Sequence, residues 1–329
     1  MRTGSGGGSG RARRAGGGRG LRGHVRAAAR PSAAYRRVLA EFRPHAPFGA
    51  EGFDLAAVRD AMAGRHLPAD AQTRIRRATA NGVPGEWVWR PDSDPALRLL
   101  YLHGGGYVSG ASGFYLAMAE ELARQCRAAV FLANYRLAPE HPCPAAVEDA
   151  QRAFRWLRRH GPLGAGPARA VFVSGDSAGG GLTLALLLAL RAAGEPLPAG
   201  AIPISAYTDL AHTGASVRTR AALDPVMSPR SLPWFAAAYL GGLPPTHPLA
   251  SPLYGDYRGL PPLLLQVGDW EIIRDDSVRV ARKARAAGVD VTLEVWDGMI
   301  HVWHSQAVPI LPEGKKAIAH IARFVRRLA

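Results

Sequence analysis

Beyond Pro84, short apolar runs alternate with longer amphipathic stretches. The runs Leu97–Leu102, Ala128–Ala133, Ala170–Ser174, Ala201–Ser205, Pro262–Val267 and Val291–Trp296 read as strands. Between and after them, Phe114–Cys126, Ala145–His160, Ser177–Ala193, Asp275–Ala287 and Glu313–Leu328 read as helices. Continuous apolar strands separated by helices predict an α/β fold, a mostly parallel sheet buried on both faces. Residues 34–80 read as helical, with Tyr35, Val38, Leu39 and Phe42 at helical spacing and a similar pattern over Phe53–Met62. Between Tyr207 and Pro262 the rhythm breaks. That interval is rich in proline, carries Trp234, Phe235 and Tyr239, and predicts an excursion over the carboxyl edge of the sheet. The expected organisation is a tail (1–33), N-terminal cap helices (34–83), an α/β domain in two pieces (84–206 and 256–329) and a cap insertion (207–255).

Composition changes this picture mainly at the N-terminus. The net charge is +15, but residues 1–40 hold ten arginines and no acidic residue, which leaves +5 for the body. So modest a charge on the body does not point to nucleic acid. The Gly/Arg-rich tail lacks apolar surface to bury and is expected to be disordered. No aromatics interleave with its arginines to stack on bases, so no nucleic-acid partner is expected. No apolar h-region precedes the body, and the longest apolar run, Ala178–Leu190, is too short to span a bilayer. Cys126 and Cys143 have neither metal-ligand spacing nor a disulfide framework. A reduced, cytoplasmic protein is the simplest reading, with a homodimer left open.

Two glycine-rich stretches carry chemistry. Gly175-Asp176-Ser177-Ala178-Gly179 fits G-x-S-x-G at a strand–helix junction, where a serine on a tight turn projects its hydroxyl above the sheet. The helix behind it offers free N–H groups and a positive dipole end. The plainer alternative is a glycine-rich turn with a serine cap. A dinucleotide fold would need G-x-G-x-x-G and a P-loop its lysine, and neither is present. The second stretch, His103-Gly104-Gly105-Gly106, also follows a strand. Its N–H groups can converge on one point, as an oxyanion hole requires. The expected donors are Gly104, Gly105 and Ala178. A lone glycine triplet is weak; paired with the elbow 74 residues later it is not.

A serine needs a base, and in this arrangement the chain order is serine, acid, histidine. His301 lies on the loop after Val291–Trp296, where it can reach over the sheet. His304 competes three residues on, His320 lies within the last helix, and His247 precedes the acid. The acid is sought after Pro262–Val267. Asp275 and Asp276 fit the start of the next helix, which leaves Asp269 and Glu271.

His103–Tyr107 (HGGGY), Tyr135–Pro142 (YRLAPEHP), Gly175–Gly180 (GDSAGG), Thr208-Asp209-Leu210, Asp224-Pro225 and Asp297–Trp303 together resemble the hormone-sensitive-lipase-like bacterial esterases of the α/β-hydrolase fold. The similarity spans about residues 35–329. It implies Ser177 as nucleophile, His301 as base and, by the frame of the acid loop, Glu271 rather than Asp269 as acid. Glutamate departs there from the commoner aspartate. His103 and Asp176 become braces of the glycine loop. Ser205-Ala206-Tyr207 departs from the usual Ser-Pro-Trp, which bears on the acyl pocket. The implied activity is serine-dependent hydrolysis of short to medium acyl esters, without metal or organic cofactor and with a small ester as partner. Deacetylation of a small natural product would use the same machinery. Some relatives are receptors that have lost the histidine, and the presence of His301 weighs against that role here.

Overall fold

The structure is a computed structural model and describes Met1 and residues 25–27, 31–42, 54–68, 70–307 and 309–329. The tail expectation falls almost wholly outside these residues. The exceptions are β1 (Val25–Ala27), which runs parallel to the last strand and joins the sheet, and residues 31–33, which lead into the first helix, both departures from the disorder expected of 1–33. The other strands of that sheet are β2 (Arg74–Ala80), β3 (Val83–Trp89), β4 (Asp94–Leu102), β5 (Ala128–Ala133), β6 (Ala170–Asp176), β7 (Gly200–Ile204), β8 (Leu263–Gly268) and β9 (Val291–Trp296). Their order is β1-β9-β8-β7-β6-β4-β5-β3-β2. Pairing is parallel from β1 to β5 in that order, and antiparallel where β3 meets β5 and β2 meets β3. β5 and β8 are buried along their whole length, as strands covered by helices on both faces must be.

The hairpin β2–β3 corrects the helical reading of 34–80. Asn81 and Gly82, with φ of 49° and 88°, make the tight turn that the Asn-Gly pair encodes. Arg74, Arg76 and Arg77 lie exposed on an outermost strand, so that strand shows no apolar alternation. Only α1 (Ala33–Phe42) and α2 (Leu55–Met62) of the expected N-terminal helices stand among the described residues.

α3 (Leu116–Cys126), α4 (Ala145–Leu157), α5 (Ala178–Ala192), α8 (Arg274–Ala286) and α9 (Pro312–Leu328) flank the sheet. α5 is apolar nearly all round, as a helix at the centre of a large core should be. Between β7 and β8 the chain forms α6 (Ser216–Thr219) and α7 (Leu232–Leu240) and no strand among the described residues. No described helix is long and apolar enough to cross a membrane.

Candidate active site

β6 runs into α5 with Ser177 at the junction. Its φ of 53° is rare for a residue with a side chain, and such strain typically costs about 1–3 kcal/mol. The backbone fixes it on both sides: Ser177 N–H donates to the Ile204 carbonyl (2.9 Å), and its own carbonyl accepts from Tyr207 N–H (2.9 Å) and Gly181 N–H (3.1 Å). The flanking glycines are required by space. A Cβ at Gly175 would strike the Gly179 carbonyl, and one at Gly179 would strike that of Leu102.

The base and acid meet as the fold closes. His301 Nδ1 lies 2.9 Å from Glu271 Oε2, with both residues buried. The other oxygen of Glu271 accepts from the Ser205 hydroxyl (2.7 Å) and Gly268 N–H (2.5 Å). Burial pushes the His301 imidazole down. The hydrogen bond and charge of Glu271, with the charges of Asp224 and Asp176, outweigh it and leave the pKa raised. Asp269 is elsewhere, paired with Arg220 (3.1 Å) and Arg274 (3.0 Å). The rival histidines have structural partners: His304 meets Gln266 (2.8 Å) and burial holds its pKa near 3, and His320 meets Glu294 (2.8 Å).

Asp176 braces the glycine loop. Its carboxylate accepts from the hydroxyls of Tyr101 (2.8 Å) and Tyr115 (3.0 Å) and from Gly104 N–H (3.0 Å). Burial lifts its pKa to about 6 against those three donors. Gly104 N–H reaches the Tyr115 hydroxyl as well (3.0 Å). The expectation that Gly104 donates to an oxyanion is therefore corrected: its N–H is already spent on Asp176 and Tyr115. The residues of the loop that line the cavity above Ser177 are Gly105 and Gly106, with φ of 117° and 62°. Ala178 opens α5, so its N–H belongs to the first turn, whose amides have no acceptor within the helix. His103 is buried, its Nδ1 is 2.8 Å from the Gly104 carbonyl, and burial holds its pKa near 4, so it is a neutral prop.

Ser177, His301, Gly105 and Gly106 line one cavity of about 130 Å³. Its other walls are largely apolar: Met62 of α2, Phe114, Tyr207, Val226, Met227 and Phe235 of α7. Helix α2 and the β7–β8 excursion thus both reach the cavity of the nucleophile. Among the described residues no group of three or more His, Cys, Asp or Glu side chains is arranged to hold a metal ion.

A model of the α/β hydrolase fold family matches residues 99–305. The chain belongs to the α/β hydrolase family. Similar to this chain are an acetyl-hydrolase of Streptomyces hygroscopicus, 46% identical over 75% of this chain and 81% of that one, and an esterase of Acinetobacter venetianus, 35% identical over 80% and 86%. The crystal structure of an esterase from the bacterial hormone-sensitive lipase family superposes with a TM-score of 0.82 at 44% identity, covering 91% of this chain and 99% of that one. The esterase thus falls in the hormone-sensitive-lipase-like branch and is a carboxylic ester hydrolase.

Four residues that shape the site stand outside the roles assigned from the sequence. Tyr101 and Tyr115 reach Asp176 from β4 and the turn before α3, Tyr135 donates to the His103 carbonyl (2.7 Å), and Asp224 accepts from Ile272 N–H (2.9 Å), next to Glu271. Tyr135 and Asp224 lie in motifs that carry the family resemblance, and so have a signal in the sequence. Tyr101 and Tyr115 lie in none.

Proposed function

We propose that this esterase cleaves short acyl esters of small alcohols through a Ser177 acyl-enzyme, with His301 as base and Glu271 as its orienting acid. The Ser177 hydroxyl attacks the ester carbonyl carbon and its proton passes to His301 Nε2. The carbonyl oxygen becomes an anion held by the N–H groups of Gly105, Gly106 and Ala178. The tetrahedral intermediate expels the alcohol, which takes the proton from His301. Water, deprotonated in turn by His301, then releases the carboxylic acid and restores the serine. Glu271 fixes the imidazole tautomer and stabilises the imidazolium. Among the described residues no hydrogen bond joins the Ser177 hydroxyl to His301. Such catalytic contacts commonly tighten only with substrate in place.

The observation that carries this reading is the shared cavity: a strained serine, a carboxylate-bound histidine and two glycines with positive φ line one small space. Its volume of about 130 Å³ is small beside the roughly 300–1,000 Å³ of drug-sized pockets, which favours short acyl groups. Helices α2 and α7 act as the cap that limits chain length. The name acetyl-hydrolase on the 46% identical relative favours the acetyl end of that range.

The test is a p-nitrophenyl ester series from acetate to dodecanoate with wild type and Ser177→Ala, beside labelling by a fluorophosphonate. Turnover should be highest for the short esters, fall steeply along the series, and vanish with the label in Ser177→Ala. Equal rates in the two proteins would overturn the assignment. Sedimentation of the same samples reads whether the enzyme is a homodimer.

A further inference from the structure

The loop that carries His301 is held from both sides by hydroxyl groups. The peptide N–H just after the histidine, that of Val302, donates to Ser205 Oγ (3.2 Å), and Ser205 also touches Glu271. The N–H just before it, that of Ile300, donates to the hydroxyl of Tyr35 at 2.8 Å. Tyr35 lies 265 residues away in the first turn of α1, and its own hydroxyl donates to the Gly298 carbonyl (3.1 Å). One phenol thus pins two peptides of the turn Gly298–Ile300. The tyrosine is 1% exposed, so water does not substitute for it.

α1 is itself anchored where this contact is made. Ser32 Oγ accepts from Tyr35 N–H (3.1 Å), and Ser32 N–H donates to Glu313 at the start of α9 (2.7 Å). Pro31 packs against Gly298, so that a Cβ there would lie 3.2 Å from the proline ring. On the far side of the turn, Trp270 N–H, next to the acid, donates to the Met299 carbonyl (3.1 Å). The turn is therefore clamped between the acid loop and a helix outside residues 99–305, the segment shared with the family model.

We propose that Tyr35 is a positioning residue for catalysis: its hydroxyl sets the turn that aims His301 at Ser177 and Glu271. This rests on the reading of His301 as the base. A buried amide such as that of Ile300 must find an acceptor. Without the phenol it would turn toward another, and the histidine next in the chain would turn with it. Small misplacements of a catalytic group carry large rate penalties.

The experiment compares wild type with Tyr35→Phe, Ser32→Ala, Leu39→Ala and His301→Ala on p-nitrophenyl acetate. Tyr35→Phe keeps the ring and loses only the hydroxyl. Its kcat should fall about tenfold with KM within roughly twofold, because the acyl cavity is untouched. The acid limb of its kcat–pH profile should move to lower pH as the His301–Glu271 bond loosens; the charged groups acting on His301 are Glu271, Asp224 and Asp176. Ser32→Ala softens the same anchor with the phenol intact and should give a smaller loss of the same kind. Leu39→Ala weakens α1 by its apolar contacts alone, so its melting temperature should drop while kcat and the pH profile hold. If Tyr35→Phe does not fold, Ser32→Ala decides by the same two readouts. A folded Tyr35→Phe with wild-type kcat and pH profile overturns the proposal, while an inactive His301→Ala in the same series leaves the triad standing. An active His301→Ala would instead remove the base assignment on which Tyr35 depends.

Discussion

Asp176 and Glu271 are both buried carboxylates of one site, one residue before the nucleophile and one beside the base, and they differ in the kind of partner they hold. Asp176 accepts from two phenols and a peptide N–H, all neutral. Glu271 accepts from a hydroxyl and a peptide N–H through one oxygen and meets an imidazole through the other. A carboxylate among neutral donors mainly fixes geometry and reaches the base only through its charge at a distance. One against a titratable ring also sets which protonation state that ring prefers. Sequence position next to the nucleophile is therefore no guide to which carboxylate takes part in proton transfer.

Replacing each carboxylate separates the two roles. Glu271→Gln should lower kcat on p-nitrophenyl acetate by about 10²–10⁴-fold, the scale seen when the orienting acid of a serine triad is neutralised. Asp269→Asn, which breaks only partly exposed arginine pairs, should stay within about twofold. The reverse outcome would transfer the acid role to Asp269. Asp176→Ala should cost less, about 10²-fold in kcat/KM, because it frees Gly104 and lets the glycine loop drift from the oxyanion position. A loss as deep as that of Glu271→Gln would show Asp176 to be more than a brace.

A pH profile sharpens the contrast. His301 must be neutral to act, and Glu271 raises its pKa, so wild-type kcat/KM should fall on acidification at a pH above the ordinary histidine value. In Glu271→Gln burial acts without that opposing charge, and the residual acid limb should move to lower pH. In Asp176→Asn it should move far less. A third buried carboxylate gives the smallest effect. Asp276 accepts from the N–H groups of Thr208 (2.7 Å) and Asp209 (2.9 Å), and burial lifts its pKa from 3.8 to about 8. Between those values the folded protein binds a proton that the unfolded chain does not, so this site costs stability as pH rises from about 4 to 8. Asp276→Asn should flatten that decline, so that the difference between the two melting temperatures changes by up to about 8 °C across the window. Parallel curves would mean the carboxylate is charged throughout.

What was readable in the chain follows from how local each signal is. The elbow was legible because its constraint lies within five residues, where steric need for glycine at 175 and 179 writes itself into the sequence. The β-α alternation was legible for the same reason. The donor assignment in the glycine loop failed at Gly104 because the aim of a peptide N–H depends on backbone angles, 117° at Gly105 and 62° at Gly106, that three identical letters do not distinguish. The hairpin β2–β3 leaves little apolar pattern because its outer strand is exposed and rich in arginine, and its only local mark is the Asn81-Gly82 turn. Tyr101, Tyr115 and Tyr35 act across 61 or more residues, and nothing near them in the chain marks their partners.

The arginines of β2 bear on how these molecules meet one another. An outermost strand with free N–H and C=O groups invites a neighbour's strand to dock. With Arg74, Arg76 and Arg77 along it, two copies approaching by this border would bring like charges together as hydrogen bonding began. The border thus disfavours sheet extension from copy to copy.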